Sequence, residues 1–359
     1  MANSVKAQGG VMAMRWLLAA MAAFGLMGGV STAFGQTLVE GVGVALQGAG
    51  ATFPAPLYRK WIDIYTRMNP NVAIDYQAVG SGEGIKRFLA GVVDFGASDA
   101  AMSDEQISQA KAGVKLIPAT AGIVVLAYNL PDVKGALKLS REVYADIFLG
   151  KIRVWNDPRI QALNPDLKLP RQTITLVARL DSSGTTYAMT NHLNAISEEW
   201  RKGPGVGKLV DWPGNTMMAS GNEGVAARIK RSWGAIGYVE YGFAKHLGLP
   251  MAYLENKAGR FVEPAPESGQ AAIAANVDLI PGNLRVFLPD PEGEDAYPIV
   301  TFTWLLLHER YEDSRKGAAV KRFVDWTLTD GQGYSADMGY IPLPDAVATT
   351  ARVAVNAVQ

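Results

Sequence analysis

Three turns rich in glycine and hydroxyl side chains carry the residues of this chain that could do chemistry. They are Gly48–Pro54, Gly80–Gly84 and Asp181–Thr186, and each precedes a segment with helical spacing of apolar residues. A helix start presents unpaired backbone N–H groups and the positive end of the helix dipole, so it attracts anions. Three such starts brought together would bind a small oxyanion without a metal ion. Glycine and serine are also ordinary turn residues, so the turns alone leave this interpretation and a purely structural one equally open.

The segments around the turns predict an α/β protein with a mixed or parallel sheet, because strand-like and helix-like segments alternate. All three turns then join a strand to a helix, and open α/β sheets bind ligands beyond the carboxyl ends of their strands. Residues 255–295 are rich in Pro, Gly and Glu and predict long surface connections. The predicted strands are 74–79, 123–128, 174–178, 235–239 and 299–307, and the predicted helices lie around 57–68, 85–89, 143–148, 187–193 and 320–328.

Composition limits the class of protein. The chain has 359 residues, 48% of them hydrophobic, which suits a globular protein of about two domains. Lys plus Arg and Asp plus Glu number 34 each, so no basic excess favours nucleic acid as a partner. There is no cysteine, so neither a disulfide nor a lipid-modified N-terminal cysteine is expected.

The N-terminus is typical of a secretory signal peptide. Arg15 precedes the apolar run 16–30, and the small residues that follow favour cleavage after Ala33 or Gly35. The run is shorter than the roughly 18 residues of a membrane span, although a retained anchor stays an alternative. We therefore expect residues 1–35 to be removed and the product to be exported and soluble.

Several other site types are excluded by spacing. The dinucleotide pattern fails twice, since Phe53 and Ile85 stand where its third glycine belongs. The segment 205–208 resembles a P-loop but is followed by Leu209 instead of Ser or Thr. Ser183 is not in the serine-hydrolase elbow pattern, and the three histidines are too far apart for metal spacing. We predict neither a cofactor nor a metal.

The first turn also carries a family resemblance. Its sequence GAGATFPAP resembles the N-terminal motif of the periplasmic phosphate-binding proteins of the phosphate-specific ABC transporter, a family of substrate-binding proteins. Further segments are similar to other motifs of that family, in the same order and over about residues 48–344. They are VDFGASDA at 93–100, LGKI at 149–152 with Trp155, GAIGYVEY at 234–241 and GEDAYPI at 293–299, where Tyr297 stands in place of a Trp.

The resemblance implies a set of phosphate-binding residues. Asp99 matches the carboxylate that accepts a phosphate proton, and Asp181 would hold the guanidinium of Arg179. Glu83 and Ser182 depart from the family's pattern of small residues, and we expect Glu83 to point away from the anion. The implied phosphate contacts are Thr52, Phe53, Ser81, Asp99, Arg179, Ser183, Gly184 and Thr185.

The resemblance further implies the two-lobe periplasmic binding protein fold, with a hinge that closes on the ligand. The first crossing between lobes should fall near 118–122 and the second near 293–297. The N-terminal lobe would then be 37–119 plus 294–359, with 120–293 inserted as the second lobe.

The resulting hypothesis is a monomeric periplasmic receptor, not an enzyme, which delivers inorganic phosphate to the permease and ATPase subunits of an ABC importer. A receptor for another tetrahedral oxyanion, sulfate or arsenate, is the nearest alternative, and a phosphatase-type enzyme is a remote one. Asp99 separates phosphate from sulfate, because a carboxylate facing a fully ionised anion has no proton to accept.

Overall fold

A computed structural model describes residues 43–214 and 216–359. The predicted signal peptide, residues 1–35, lies outside the described residues. The described residues belong to one compact unit, Val42–Gln359. Within them, no helix combines the length and the apolar character needed to cross a membrane.

The elements alternate as an α/β protein requires, which confirms the predicted fold class. The strands are β1 Val44–Gly50, β2 Val72–Ala78, β3 Phe95–Ser98, β4 Val114–Tyr128, β5 Lys138–Leu139, β6 Thr175–Arg179, β7 Met217–Ala219, β8 Ala235–Glu240, β9 Tyr253–Glu255, β10 Phe261–Val262 and β11 Val300–His308. The helices are α1 Ala55–Met68, α2 Ser81–Leu89, α3 Asp104–Ser108, α4 Arg141–Phe148, α5 Pro158–Leu163, α6 Gly184–Ile196, α7 Glu198–Lys202, α8 Gly221–Arg231, α9 Tyr241–His246, α10 Pro266–Ala274, α11 Ser314–Thr327 and α12 Asp345–Asn356.

Eight strands form one mixed sheet in the order β2-β1-β3-β11-β4-β8-β6-β7. The parallel neighbours β2, β1 and β3 lie at one end of this order, and β8, β6 and β7 lie at the other. Strands β5, β9 and β10 form a separate small sheet. The helix starts after β1, β2 and β6 are therefore contributed by both ends of the main sheet.

Strand β4 links the two ends. From Val114 to Ile123 it pairs with β11, and from Val124 to Tyr128 it pairs with β8, antiparallel in both cases. Its residues are buried along nearly the whole length, as expected of a strand covered on both faces. The pairing with β11 shifts register between Thr303 and Trp304, opposite Pro118, and such an irregularity accommodates a residue that cannot donate a ladder hydrogen bond.

Most predicted elements are present, with two differences. The region 255–295, predicted as surface connections, contains β10 and α10, whose residues Gly269, Ala272 and Ile273 are buried. Met68 shares the helical spacing of the buried Leu57 and Trp61 but is 55% exposed, because it is the last residue of α1.

Candidate anion-binding site

The first turn, between β1 and α1, approaches a neighbouring strand very closely. A Cβ at Gly50 would lie 2.0 Å from the carbonyl oxygen of Ala97, so only glycine fits there. Thr52 and Phe53 follow, and both are buried. The hydroxyl of Tyr340 donates to the Phe53 carbonyl at 2.7 Å, which fixes the orientation of this turn.

The second turn places a buried hydroxyl between the two ends of the sheet. Gly80 has a φ of +92°, a conformation that glycine adopts readily, and it leads into α2. Ser81, the first residue of α2, accepts hydrogen bonds at 3.1 Å from the N–H of Asp99 and from the N–H of Gly184. Because Gly184 begins α6, one serine oxygen joins two of the three predicted turns.

Asp99 follows β3 and is buried. The hydroxyl of Thr303 donates to its Oδ1 at 2.8 Å. Burial raises the pKa of Asp99 to about 7, against the opposing effects of the Thr303 hydrogen bond, the charge of Arg179 and the Ser81 hydroxyl. This carboxyl can therefore exchange a proton near neutral pH.

Arg179 ends β6 with its side chain 2% exposed. Its Nε donates to Asp181 Oδ1 at 2.8 Å, and its Nη2 donates to Oδ2 of the same carboxylate. Asp181 Oδ1 also accepts from the N–H of Gly221 at 2.9 Å. Burial opposes ionisation of Asp181, but the hydrogen bond and charge of Arg179 lower its pKa overall. The pair is therefore ionised and holds the guanidinium in a fixed plane.

The third turn caps α6. The Ser183 hydroxyl accepts from the N–H of Thr186 at 3.0 Å, which is an N-cap hydrogen bond. Thr185 accepts from Arg179 Nη1 at 3.3 Å. At Gly184 a Cβ would lie 2.5 Å from Ser81 Oγ and 2.6 Å from the Asp99 Cβ, so the two sides meet without room for a side chain.

Each turn also presents a buried backbone donor. No group among the described residues accepts a hydrogen bond from the N–H of Phe53, Ser81 or Thr185, and all three residues are fully buried. Buried N–H groups without a partner are rare in native proteins. Three of them, one on each predicted turn, lack an acceptor within residues 43–214 and 216–359 and so are available to bind one from outside.

The structure brings the predicted residues of both ends of the sheet into contact. Ser81 bonds to Gly184, and the N–H of Gly82 donates to the Ser182 carbonyl at 3.0 Å. Since Asp181 balances the charge of Arg179, the attraction for an anion comes mainly from N–H groups and helix dipoles.

Two residues of the site were missed from the sequence. Asn222, the second residue of α8, is fully buried and donates from Nδ2 to Thr52 Oγ1 at 3.0 Å and to Thr185 Oγ1 at 3.1 Å. Thr303 lies on β11, far along the chain from the Asp99 that it contacts. The Gly-Asn-Glu-Gly segment after β7 is a fourth glycine-rich helix start, and this signal could have identified Asn222.

The residues that depart from the family pattern lie beside the site. Glu83 accepts from Arg87 Nε at 2.9 Å, and this hydrogen bond lowers the pKa of Glu83. A Cβ at Gly82 would lie 2.1 Å from Ser182 Oγ, so the larger residue at 182 packs against the glycine of the second turn.

Two of the three histidines contact groups outside the candidate site. His192 is buried between the Tyr144 hydroxyl and the Pro289 carbonyl, and burial lowers its pKa to about 4. His308 stacks on Phe88. Both are packed side chains.

Comparison with known proteins agrees with this geometry. A family model described as a PBP superfamily domain matches residues 31–331. The chain is 43% identical to the phosphate-binding protein PstS of Pasteurella multocida over 84% of this chain and 87% of that protein. It is 40% identical to PstS of Haemophilus influenzae over 85% of this chain and 91% of that protein. Its fold is similar to that of PfluDING, a high-affinity periplasmic phosphate-binding protein solved with phosphate at pH 8.5. That likeness has a TM-score of 0.72 at 24% identity and covers 86% of this chain and 93% of that protein.

Proposed function

This chain belongs to the phosphate-binding protein family within the PBP superfamily, and we propose that it captures inorganic phosphate between two lobes and delivers it to an ABC importer. The fold is the two-lobe fold of that superfamily. The observation that carries the proposal is a set of three buried N–H groups, on Phe53, Ser81 and Thr185, that find no acceptor in the described part of the chain. Donors converge on an anion, and one carboxyl accepts the proton that phosphate retains at neutral pH.

We assign the phosphate contacts to the residues already identified. Arg179 supplies the charged donors and Asp181 orients it. The hydroxyl and backbone donors come from the three turns, and Asp99 is the acceptor. The contacts are Thr52, Phe53, Ser81, Asp99, Arg179, Ser183, Gly184 and Thr185.

The proposed lobes are 37–119 with 294–359, and 120–293. The change of partner along β4 between Ile123 and Val124 supports a crossing between lobes close to the first boundary. Strand β11, which follows the second boundary, pairs again with the first part of β4. The hydrogen bonds of Ser81 to Gly184 and of Gly82 to Ser182 would form only when the lobes close. These two hydrogen bonds support assigning the closed state of such a receptor to this structure.

We propose a receptor and not an enzyme, acting as a monomer in the periplasm after loss of residues 1–35 and partnered by permease and ATPase subunits. The relatives carry the name of binding proteins. In the described residues, the buried His192 and the stacked His308 are engaged elsewhere, so neither is placed as a base for a hydroxyl of the site.

A calorimetric titration tests the proposal. The chain without residues 1–35 is titrated with phosphate, arsenate and sulfate at matched pH and ionic strength. We expect one saturable site for phosphate and for arsenate, which also keeps a proton, and much weaker binding of sulfate. Absence of phosphate binding, or strong binding of sulfate at pH 8 and above, would refute it.

A further inference from the structure

Asn222 occupies a position between the two lobes that the assigned phosphate contacts do not explain. It follows Gly221, whose φ is +69° and whose N–H is held by Asp181. The Asn222 side chain is fully buried at the start of α8. An amide carries two donors and an acceptor, so its burial requires several partners.

Its orientation is set by its own lobe. The N–H of Glu240 donates to Asn222 Oδ1 at 2.9 Å. A backbone N–H can only donate, so the oxygen must face Glu240 and Nδ2 must face the opposite way. There Nδ2 meets two hydroxyl oxygens, Thr52 Oγ1 at 3.0 Å and Thr185 Oγ1 at 3.1 Å.

These hydrogen bonds decide what the threonine hydroxyls can do. Thr52 Oγ1 accepts from Asn222 Nδ2 and from the Asn222 backbone N–H at 3.2 Å. Thr185 Oγ1 accepts from Asn222 Nδ2 and from Arg179 Nη1. A hydroxyl has two acceptor positions and one proton. With both acceptor positions filled, each threonine keeps its proton for a further acceptor, which is what an anion requires.

The hydrogen bonds also differ in which lobes they join. Thr185 and Glu240 lie with Asn222 in the segment 120–293, so their contacts with it survive opening. Thr52 lies in the other lobe, and its two hydrogen bonds with Asn222 exist only when the lobes are closed.

We propose that Asn222 is a positioning residue of the phosphate site, which commits the hydroxyls of Thr52 and Thr185 as donors and holds the lobes closed through Thr52. The inference rests on the proposed phosphate-binding function. Loss of the Asn222 side chain should therefore change the rate constant of phosphate release, because the hydrogen bonds of Asn222 to Thr52 form after the anion has entered.

The test is stopped-flow measurement of phosphate association and release on the chain without residues 1–35. Asn222→Ala removes both Nδ2 hydrogen bonds, and we expect release about 30-fold faster with association nearly unchanged, which corresponds to about 2 kcal/mol. Asn222→Asp keeps the size and the acceptor for Glu240 but replaces Nδ2 by an oxygen. The hydroxyls of Thr52 and Thr185 would then donate to that oxygen instead of to phosphate, and the new carboxylate would repel the anion. We therefore expect Asn222→Asp to lose more phosphate affinity than Asn222→Ala.

Asn129→Ala is the matched control. The Asn129 amide donates to the carbonyls of Ile229 and Lys230 at 3.0 Å, near the other end of α8. Its loss should leave both rate constants for phosphate unchanged.

The outcomes distinguish a failure of phosphate binding from a failure of the role assigned to Asn222. Failure of the unaltered chain to bind phosphate refutes the proposed function. If the unaltered chain binds phosphate but the folded Asn222 variants release it at the unaltered rate, the role of Asn222 is refuted and the proposed function stands. The same conclusion follows if these variants differ only in slower association. Thr52→Val removes the same inter-lobe bonds from the other side, so unchanged release in that variant overturns the proposal however the Asn222 variants fold.

Discussion

Replacing Asp99 by asparagine should remove the pH dependence of anion selectivity. Thr303 donates to Oδ1, so the amide oxygen of the Asp99→Asn variant should keep that position and the amide nitrogen should take the other. The acceptor for a phosphate proton then becomes a donor. Phosphate loses one charge-assisted hydrogen bond, worth about 1.5–3 kcal/mol, while sulfate no longer faces a carboxylate.

The magnitude follows from the pKa of Asp99, which burial raises to about 7. Sulfate carries no proton at neutral pH, so its binding requires the protonated carboxyl. Above the pKa the protonated fraction falls tenfold per pH unit, and raising the pH from about 7 to about 9 should weaken sulfate binding about 50-fold. Hydrogenphosphate brings its own proton, so its affinity should change far less.

The assay is calorimetry of both anions between pH 7 and pH 9 at constant ionic strength, because screening alters charged contacts. Asp94→Asn is the control, since Asp94 is a largely buried carboxylate that binds Lys316 away from the site. We expect the ratio of sulfate to phosphate dissociation constants to rise with pH in the unaltered chain and in the control, and to stay flat in Asp99→Asn. A ratio that climbs equally in the Asp99 variant would refute this reasoning.

Three further predictions concern single residues. Arg179→Ala should weaken phosphate binding by about 1.5–3 kcal/mol, whereas Arg315→Ala, which removes an exposed guanidinium–carboxylate pair of the same spacing, should leave the dissociation constant unchanged in the same titration. Gly184→Ala should prevent closure because its Cβ would meet Ser81 and Asp99, and solution scattering with phosphate should then show no compaction. Glu240 is buried, which raises its pKa to about 8, so the folded chain holds a proton there that the unfolded chain loses. This group alone should lower stability by about 1.4 kcal/mol per pH unit between about pH 5 and pH 8. Urea unfolding of Glu240→Gln should show a pH slope that is smaller by that amount.

The sequence predicts the α/β class and the three turns because both depend on local signals. Strand and helix periodicity follow from neighbouring residues. The turns are marked by glycines, which are required at Gly50 by the close approach of a neighbouring strand and at Gly80 by a positive φ. Their roles as phosphate contacts stay predictions, for which the resemblance to a family gave the residue assignments.

The remaining features depend on residues distant in sequence. Asn222 meets Thr52 across 170 positions and Thr303 meets Asp99 across 204, and no local pattern encodes such pairs. Helix α10 was missed for a different reason. Its buried residues include Gly269 and Ala272, whose small side chains give only a weak apolar periodicity.

The position of β11 has a consequence for how the molecule is made. Strand Val300–His308 lies between β3 and β4, although it is synthesised long after both. The ladder joining β2, β1 and β3 to the remaining strands is therefore absent until the last sixth or so of the chain is present. Contacts of such high sequence separation slow folding. The first-synthesised end of the sheet should consequently be completed last. We expect β6, β7 and β8 to form before β11 pairs with β3.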